Sequence, residues 1–138
     1  MITSTDCKDK MKSQKPIFDK MGFTQWMWRV LYKENLKLGK KTEIGSFTVI
    51  DAKNGVVIED NVKIGWSCSI ISDSTVDGRR GKVVLKSGCK IGANSVIMPG
   101  VTIGRNSVIG ANSFVVKNVP DNEIWVGTPA RKLKTNPI

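Results

Sequence analysis

The chain is poor in the side chains that enzymes most often use for acid–base and metal chemistry. It contains no histidine, and its three cysteines form no Cys-x-x-Cys pair. Because structural zinc sites are built from such cysteines and histidines, the composition argues against a zinc site. The clearest chemical feature is a basic cluster near the C-terminus, Arg131, Lys132 and Lys134, whose side chain types pair with phosphate oxygens in water-accessible grooves. A solvated basic tail is the alternative interpretation of this cluster.

The whole chain is also basic, with a net charge of +10 over 138 residues. Such a balance favours anionic partners, which include nucleic acid, a membrane surface and a phosphorylated cofactor. No helix-turn-helix, zinc-finger or RNA-binding sheet motif accompanies the charge, so we do not predict nucleic-acid binding. A basic solvated surface without a specific partner is an equally good explanation at this point.

The elements that must position any site are six-residue units, or hexads, between Leu85 and Pro120. Each hexad opens with an aliphatic residue on one face of a short strand: Leu85, Ile91, Ile97, Ile103, Ile109 and Val115. The fourth place holds glycine or asparagine, which tolerate the left-handed backbone of a tight corner: Gly88, Asn94, Gly100, Asn106, Asn112 and Asn118. Short periods of this kind are typical of a parallel β-helix, so we predict an all-β fold.

The hexads also predict which residues stack. If three hexads make one coil, residues eighteen apart lie on one another, which places Leu85 on Ile103, Ile91 on Ile109 and Ile97 on Val115. The fifth place is always small or β-branched, and Cys68 and Cys89 occupy it. We therefore interpret these two cysteines as space-filling residues rather than reactive thiols.

Earlier hexads open at Leu38, Ile44 and Ile50, and two irregular spacings follow them. Residues 53–55 form a turn with a two-residue insertion, and the pattern then continues to Val76, which is predicted to point inward. A spacing of nine from Val76 to Leu85 makes residues 77–82 a bulging loop. The predicted organisation is residues 1–36 as a basic arm and N-terminal helix, 37–120 as the β-helix, and 121–138 as a C-terminal tail.

The N-terminal part combines a lysine-rich arm, residues 1–15, with an aromatic segment over residues 16–32. Pro16 suits the first turn of a helix, and we predict a short helix that packs across the open end of the β-helix. A peripheral membrane contact through Trp26 and Trp28, or a partner interface, is the alternative. The arm does not resemble a secretory signal, and no apolar run approaches the roughly 20 residues of a membrane span, so a cytoplasmic location is expected.

Three segments resemble the hexapeptide-repeat acyltransferases. They are residues 91–104 (Ile-Gly-Ala-Asn-Ser-Val-Ile-Met-Pro-Gly-Val-Thr-Ile-Gly), residues 109–113 (Ile-Gly-Ala-Asn-Ser) and residues 127–132 (Gly-Thr-Pro-Ala-Arg-Lys). The resemblance covers roughly residues 38 to 134. It implies a left-handed β-helix, a homotrimer with active sites between subunits, and acetyl-coenzyme A or a similar acyl donor. From the composition, no metal cofactor is predicted.

The resemblance also implies a cofactor site. The pantetheine arm of coenzyme A would lie beside the corners at Ala93 and Ala111. The phosphates and adenine would lie toward the C-terminal signature, which comprises Thr128, Pro129, Ala130, Arg131, Lys132 and Lys134.

The catalytic base expected from the resemblance is missing. Many relatives carry Asp-x-Asp-x-His shortly after an Ile-Gly-Trp segment, but this chain places Ser72, Ser74 and Val76 at those three positions. Asp73 and Asp77 flank the altered motif and are the nearest candidate bases, with exposed corner carboxylates as the alternative. Lys90 stands where many relatives have tryptophan.

The missing histidine decides between acceptors. A hydroxyl needs a general base, typically worth about 10²–10⁴-fold in rate, whereas an amine is already nucleophilic in its neutral form. We therefore predict a coenzyme A-dependent acyltransferase acting on a sugar or nucleotide sugar, at an amine rather than a hydroxyl. The alternative is a catalytically inactive hexapeptide-repeat scaffold or partner subunit. The carbonic anhydrase branch of the fold needs zinc-binding histidines and is excluded.

Overall fold

The chain winds repeatedly through three mainly parallel β-sheets, A, B and C, and places one strand in each sheet per coil. The computed structural model of the protein describes residue 9 and residues 13–137. Sheet A contains Arg29–Leu31 (β1), Val49–Asp51 (β4), Ser69–Ile71 (β7), Val96–Ile97 (β10) and Phe114–Val115 (β13). Sheet B contains Leu36–Leu38 (β2), Val56–Ile58 (β5), Val83–Leu85 (β8) and Thr102–Ile103 (β11). Sheet C contains Glu43–Ile44 (β3), Lys63–Ile64 (β6), Lys90–Ile91 (β9), Val108–Ile109 (β12), Glu123–Gly127 (β14) and Ala130–Thr135 (β15).

The predicted stacking of the hexads is confirmed. Leu85 pairs with Ile103, Ile91 with Ile109, and Ile97 with Val115, each across two adjacent parallel strands. All six side chains are at most 3% exposed. Burial of each aliphatic side chain contributes roughly 1.5–3 kcal/mol before entropy is subtracted, so this ladder forms the core of the fold. Cys68 and Cys89 are also buried, as their space-filling interpretation requires.

The corners between sheets are built from residues with a left-handed backbone. The corner from sheet C to sheet A contains Met27, Phe47, Ser67, Asn94 and Asn112, whose φ angles lie between 54° and 69°. The fourth-place residues of the hexads behave as predicted except for Asn118, whose φ is not positive. The Asn118 side chain instead accepts a hydrogen bond from the Thr102 N–H at 2.8 Å.

The inward position predicted for Val76 is wrong. Val76 is 97% exposed, and the strand of the third coil resumes at Val83, which is fully buried. The loop therefore spans residues 72–82 and not 77–82, because Asp73 pairs with Arg80 in an isolated antiparallel bridge that turns the chain out of the ladder. The shorter insertion at residues 53–55 is confirmed by a turn in which the Gly55 N–H donates to the Ala52 carbonyl at 2.9 Å.

The helix predicted over residues 16–32 is absent, and this segment forms a looped turn followed by β1. The Asp19 carboxylate accepts hydrogen bonds from the N–H groups of Met21 (2.8 Å) and Phe23 (2.9 Å). Gly22 adopts a φ of 80°. This turn chemistry competes directly with a helix and outweighs the apolar spacing. A 3-10 turn at Lys33–Asn35 then leads into β2. Most of the predicted basic arm lies outside the described residues.

The alternative of a membrane contact through Trp26 and Trp28 gains no support from the structure, which buries Trp28. Trp28 is 2% exposed and packs edge-to-face against Phe18 with ring centroids 5.7 Å apart, so it cannot reach a membrane surface. Trp26 is half-buried against the same core. In the part of the chain that the structure describes, no helix is long and apolar enough to cross a membrane.

Stacking of the coils leaves no room for side chains at certain glycines. A Cβ on Gly65 would lie 2.7 Å from the Ala93 nitrogen, and a Cβ on Gly92 would overlap the Ala111 nitrogen. The obstructing atoms belong to the backbone of the next coil, so they cannot move without separating the coils. Gly100 differs, because it has a φ of 81° but no atom within 4 Å of the position that a methyl group would take.

We expect Gly92→Ala to destabilise the protein more than Gly100→Ala. Overpacking typically lowers the free energy of unfolding by roughly 1–3 kcal/mol, and we expect Gly92→Ala to lie at the upper end of this range. Gly100→Ala should lower it by about 1 kcal/mol, because only the left-handed backbone opposes the methyl group. Denaturant unfolding of both variants measures the difference. The reverse order would show that close packing of the coils does not limit stability.

Candidate functional site

A groove with a volume of about 560 Å³ runs along sheet C beside its corner with sheet A. We call it the glycine groove, because Gly45, Gly65 and Gly92 line it at successive coils. Trp66, which is 69% exposed, and Ala93 line the corner side. Three charged side chains also line the groove, Glu43, Lys63 and Lys90.

The corner beside the groove carries only small residues in the later coils. Ala93 and Ala111 each follow the glycine of an Ile-Gly-x-Asn hexad, directly before a left-handed asparagine. The corner from sheet B to sheet C has the same Ile-Gly-x-Asn sequence at residues 103–106, and there the third residue is Arg105, which is exposed. The fold thus accepts a long side chain in this position, so backbone packing does not explain the two alanines.

The predicted C-terminal signature continues this corner. The Thr128 hydroxyl donates a hydrogen bond to the Asn112 carbonyl at 3.4 Å, which places Thr128 next to Ala111. Pro129 follows a cis peptide bond in the turn between β14 and β15. Ala130 is buried and begins β15, which pairs antiparallel with β14. The described part of the C-terminal segment is therefore a β-hairpin attached to sheet C.

The basic residues of the signature lie along β15 and differ in their pairing. The Lys132 ammonium group is 3.4 Å from a Glu123 carboxylate oxygen, and the other oxygen of Glu123 accepts a hydrogen bond from the Trp125 indole at 3.1 Å. Arg131 and Lys134 are exposed, and neither forms an ion pair with another described residue. They are the two cations of the signature that are available to an anionic ligand.

Asp73 lies at the base of the 72–82 loop and is held by two cations. One carboxylate oxygen is 3.3 Å from the Lys53 ammonium nitrogen and the other is 3.2 Å from the Arg80 Nε. The Asp73 side chain is 5% exposed, whereas the lysine and arginine side chains are 47% and 72% exposed. This arrangement anchors the loop to the preceding coil.

Asp77 lies further out on the same loop. Its carboxylate is 3.3 Å from the Arg79 Nε and accepts a hydrogen bond from the Arg79 N–H at 3.2 Å. A hydrogen bond from the Ser74 side chain, followed by that backbone N–H and the arginine charge, lowers the pKa of the Asp77 carboxyl. A lowered pKa makes Asp77 a weaker base than a free aspartate.

The structure brings the predicted cofactor residues together but separates them from the predicted bases. Ala93, Ala111 and Thr128 follow one corner, between sheets C and A. Asp73 and Asp77 lie in the connection from sheet A to sheet B, at another corner of the prism. Within one chain, the two groups of residues therefore do not share a site.

The contribution of Lys63 to the groove was not predicted from the sequence. Lys63 and Lys90 pair across β6 and β9, although 27 residues separate them in sequence. Both precede an Ile-Gly pair, and that shared position in the hexad was the available signal. The longer third coil hides the relationship, because a search at eighteen-residue spacing does not align the two lysines. In the described residues, no cluster of three His, Cys, Asp or Glu side chains could hold a metal ion.

Comparisons with known proteins agree with this architecture. Residues 82–117 match the family model described as bacterial transferase hexapeptide (six repeats). A hexapeptide-repeat-containing acetyltransferase from Vibrio cholerae O1 biovar eltor, solved with acetyl-coenzyme A, superposes with a TM-score of 0.73 at 30% identity over 78% of this chain and 64% of that one. The likeness to solved structures of this kind confirms the predicted left-handed β-helix.

Two curated relatives match over shorter stretches. Galactoside O-acetyltransferase from Lactococcus lactis is 50% identical over 48 residues, which are 35% of this chain and 23% of that protein. The dTDP-3-amino-3,6-dideoxy-alpha-D-galactopyranose 3-N-acetyltransferase from Aneurinibacillus thermoaerophilus is 44% identical over 50 residues, which are 36% of this chain and 26% of that protein. The matches thus span about a quarter of the length of each of these relatives.

We expect Asp73→Asn to loosen the 72–82 loop, because both cations that hold it lose their partner. Trypsin should then cleave after Arg79 and Arg80 several-fold faster than in the unchanged protein. Asp77→Asn is the matched control, since it removes the same charge from an exposed position and leaves the anchor intact. Mass spectrometry of the tryptic fragments measures the cleavage rates. Equal rates in the two variants would contradict the anchoring role of Asp73.

We expect neither buried cysteine to react while the protein is folded. Burial raises the pKa of the Cys89 thiol to about 12 and also raises the pKa of Cys68. With a pKa near 12, about one Cys89 thiol in ten thousand is ionised at pH 8. Iodoacetamide should label both residues only after unfolding, as peptide mass spectrometry can show. Rapid labelling of Cys89 in the folded protein would contradict this account.

Proposed function

We propose that this chain, a member of the hexapeptide-repeat family, binds acetyl-coenzyme A along the glycine groove and transfers the acetyl group to an amine on a sugar or nucleotide sugar. The acceptor nitrogen attacks the thioester carbonyl carbon, and the carbon–sulfur bond breaks. The nitrogen loses a proton to water, and coenzyme A leaves as the thiol. No covalent bond to the protein forms at any stage.

The observation that carries the proposal is the contrast between equivalent positions at two corners. Ala93 and Ala111 are small where Arg105 shows that a long side chain is tolerated. A flexible pantetheine arm needs an unobstructed path along the backbone, and small residues at these two positions leave such a path. The Vibrio cholerae relative was solved with bound acetyl-coenzyme A, which supports this cofactor as the ligand.

The basic hairpin suits the other end of the cofactor. Arg131 and Lys134 are exposed cations on β15, which is the last strand of sheet C, and both are suited to phosphate oxygens. Lys132 is partly neutralised by Glu123. We therefore assign the coenzyme A phosphates chiefly to Arg131 and Lys134, and the turn at Pro129 and Ala130 to shaping the hairpin that presents them.

Assembly is part of the proposal. In a homotrimer with sites between subunits, the 72–82 loop of one copy would approach the groove of the next, which joins the two groups of residues that one chain keeps apart. Asp73 and Asp77 remain the proposed bases of such a site. Because both are paired with cations and the pKa of Asp77 is lowered, an amine acceptor suits this site better than a hydroxyl.

The pairing of both carboxylates also supports a second candidate. If neither aspartate takes part in chemistry, the chain is a non-catalytic hexapeptide-repeat scaffold or partner subunit. The two candidates differ in acetyl-coenzyme A binding and in release of its thiol. Titration calorimetry measures the first, and a thiol-reactive dye with a panel of amino sugars measures the second.

We expect Ala111→Arg to weaken acetyl-coenzyme A binding at least tenfold without unfolding the protein. Arg105 shows that this position of a hexad tolerates an arginine, and at residue 111, on the corner beside the groove, the side chain would block the pantetheine path. Arg105→Ala, made at the equivalent corner position outside the groove, is the matched control and should bind as before. Calorimetry gives both affinities, and thermal melts confirm folding. Undetectable acetyl-coenzyme A binding by the unchanged protein would overturn the proposed function.

A further inference from the structure

Two lysines of like charge lie side by side on the outer surface of sheet C. Lys63 and Lys90 are direct partners across the parallel strands β6 and β9. Both are exposed, and no ion pair among the described residues includes either of them. Neighbouring strands lie about 4.8 Å apart. On its other side Lys63 pairs with Glu43 across β3 and β6, whereas Lys90 pairs with Val108. Like charges placed directly opposite each other on a sheet are unfavourable, so an anion between the two ammonium groups, on the Lys90 side away from Glu43, would relieve the remaining repulsion.

Both lysines line the glycine groove opposite an exposed aromatic ring. Trp66 also lines the groove and is 69% exposed. Its ring packs against the backbone of the coil below, because a Cβ on Gly45 would lie only 2.5 Å from it. One edge of the ring thus contacts the preceding coil, and most of its surface stays open to solvent. An exposed aromatic face that lines the same groove as two cations suits a ligand that has both a ring and a negative charge.

These lysines are separate from the cations assigned to coenzyme A. Along the outer face of sheet C, Lys90 is followed by Val108, Ile124 and then Lys134 on successive paired strands. Three strand spacings, about 14 Å, thus separate Lys90 from Lys134. The two intervening positions are aliphatic. The outer face of this sheet therefore presents two cationic sites and not one continuous strip.

We propose that Lys63 and Lys90 bind a phosphate group of the acceptor, and that Trp66 stacks on the adjoining sugar or base ring. The inference rests on the proposed acyl transfer and names its acceptor class: an amino sugar that is phosphorylated or linked to a nucleotide. Phosphate fits better than carboxylate, because two ammonium groups act as point charges that can contact different oxygens of one tetrahedral phosphate. Carboxylates are best recognised by the planar fork of arginine.

Binding to small phosphate probes tests the subsite without any need for catalysis. Glucosamine 6-phosphate and uridine diphosphate are titrated calorimetrically against the unchanged protein and against Lys63→Met, Lys90→Met and Lys37→Met. Lys37 is the matched control, because it is an exposed lysine that faces outward on sheet B, where it pairs with Val57. We expect each groove variant to bind both probes at least tenfold more weakly, and the control to bind them as the unchanged protein does.

The same series separates this subsite from the proposed function. Acetyl-coenzyme A affinity is measured for the unchanged protein and for Lys37→Met, because Lys63 and Lys90 line the groove that is assigned to this cofactor. The unchanged protein could bind the phosphate probes through these lysines without binding acetyl-coenzyme A. That result would support the phosphate subsite and overturn the proposed acyl transfer. The subsite is overturned if the unchanged protein binds acetyl-coenzyme A but neither phosphate probe. It is also overturned if Lys63→Met and Lys90→Met bind the probes with the affinity of the unchanged protein.

Two further measurements test the chemical class of the ligand that the subsite binds. Galacturonate should bind more weakly than glucosamine 6-phosphate, and tighter binding of the carboxylate would overturn the assignment to phosphate. Trp66→Ala should weaken uridine diphosphate binding several-fold while leaving inorganic phosphate binding unchanged. An equal loss for both ligands would contradict stacking by Trp66.

Discussion

Close stacking of one coil on the next is the constraint on which the rest of this structure depends. Parallel strands about 4.8 Å apart align equivalent side chains of successive coils, both inside and outside the prism. Inside, Ile91 and Ile109 meet in this way and exclude water. At the corners the backbones approach so closely that Gly92 has no room for a side chain. The groove and the core are therefore two results of the same spacing.

This constraint also explains how much of the fold could be predicted. Where the coils repeat regularly, from Leu85 onward, the sequence alone predicts which residue lies on which, and the strand pairs agree. The regular pattern gives no warning where local polar groups redirect the chain. Val76 has the spacing of an inward residue, yet the Asp73–Arg80 pairing carries it into solvent. Residues 16–32 have apolar spacing compatible with a helix, yet Asp19 stabilises a turn.

The residues of the candidate site likewise include some that the regular hexads predict and some that they do not. Ala93 and Ala111 could be predicted, because they occupy identical positions in regular hexads and carry a family resemblance. The pairing of Lys63 with Lys90 could not, because the insertion at residues 72–82 lies between them and lengthens the spacing from eighteen to 27 residues. Outer-surface neighbours in a solenoid depend on the total length of each coil. A single misplaced loop boundary is enough to assign them to different strands.

The arrangement along sheet C gives the groove a direction. Arg131 and Lys134 stand at the hairpin end, the alanine corner follows, and Lys63, Lys90 and Trp66 surround the other end. A cofactor with its phosphates at the hairpin would extend its thioester toward the lysines, where an acceptor held by its own phosphate would place its amine. The chain would then need its charged residues to orient two substrates rather than to remove a proton. That division of labour is consistent with the pairing of Asp73 and Asp77 with cations, and with an acceptor that is nucleophilic without their help.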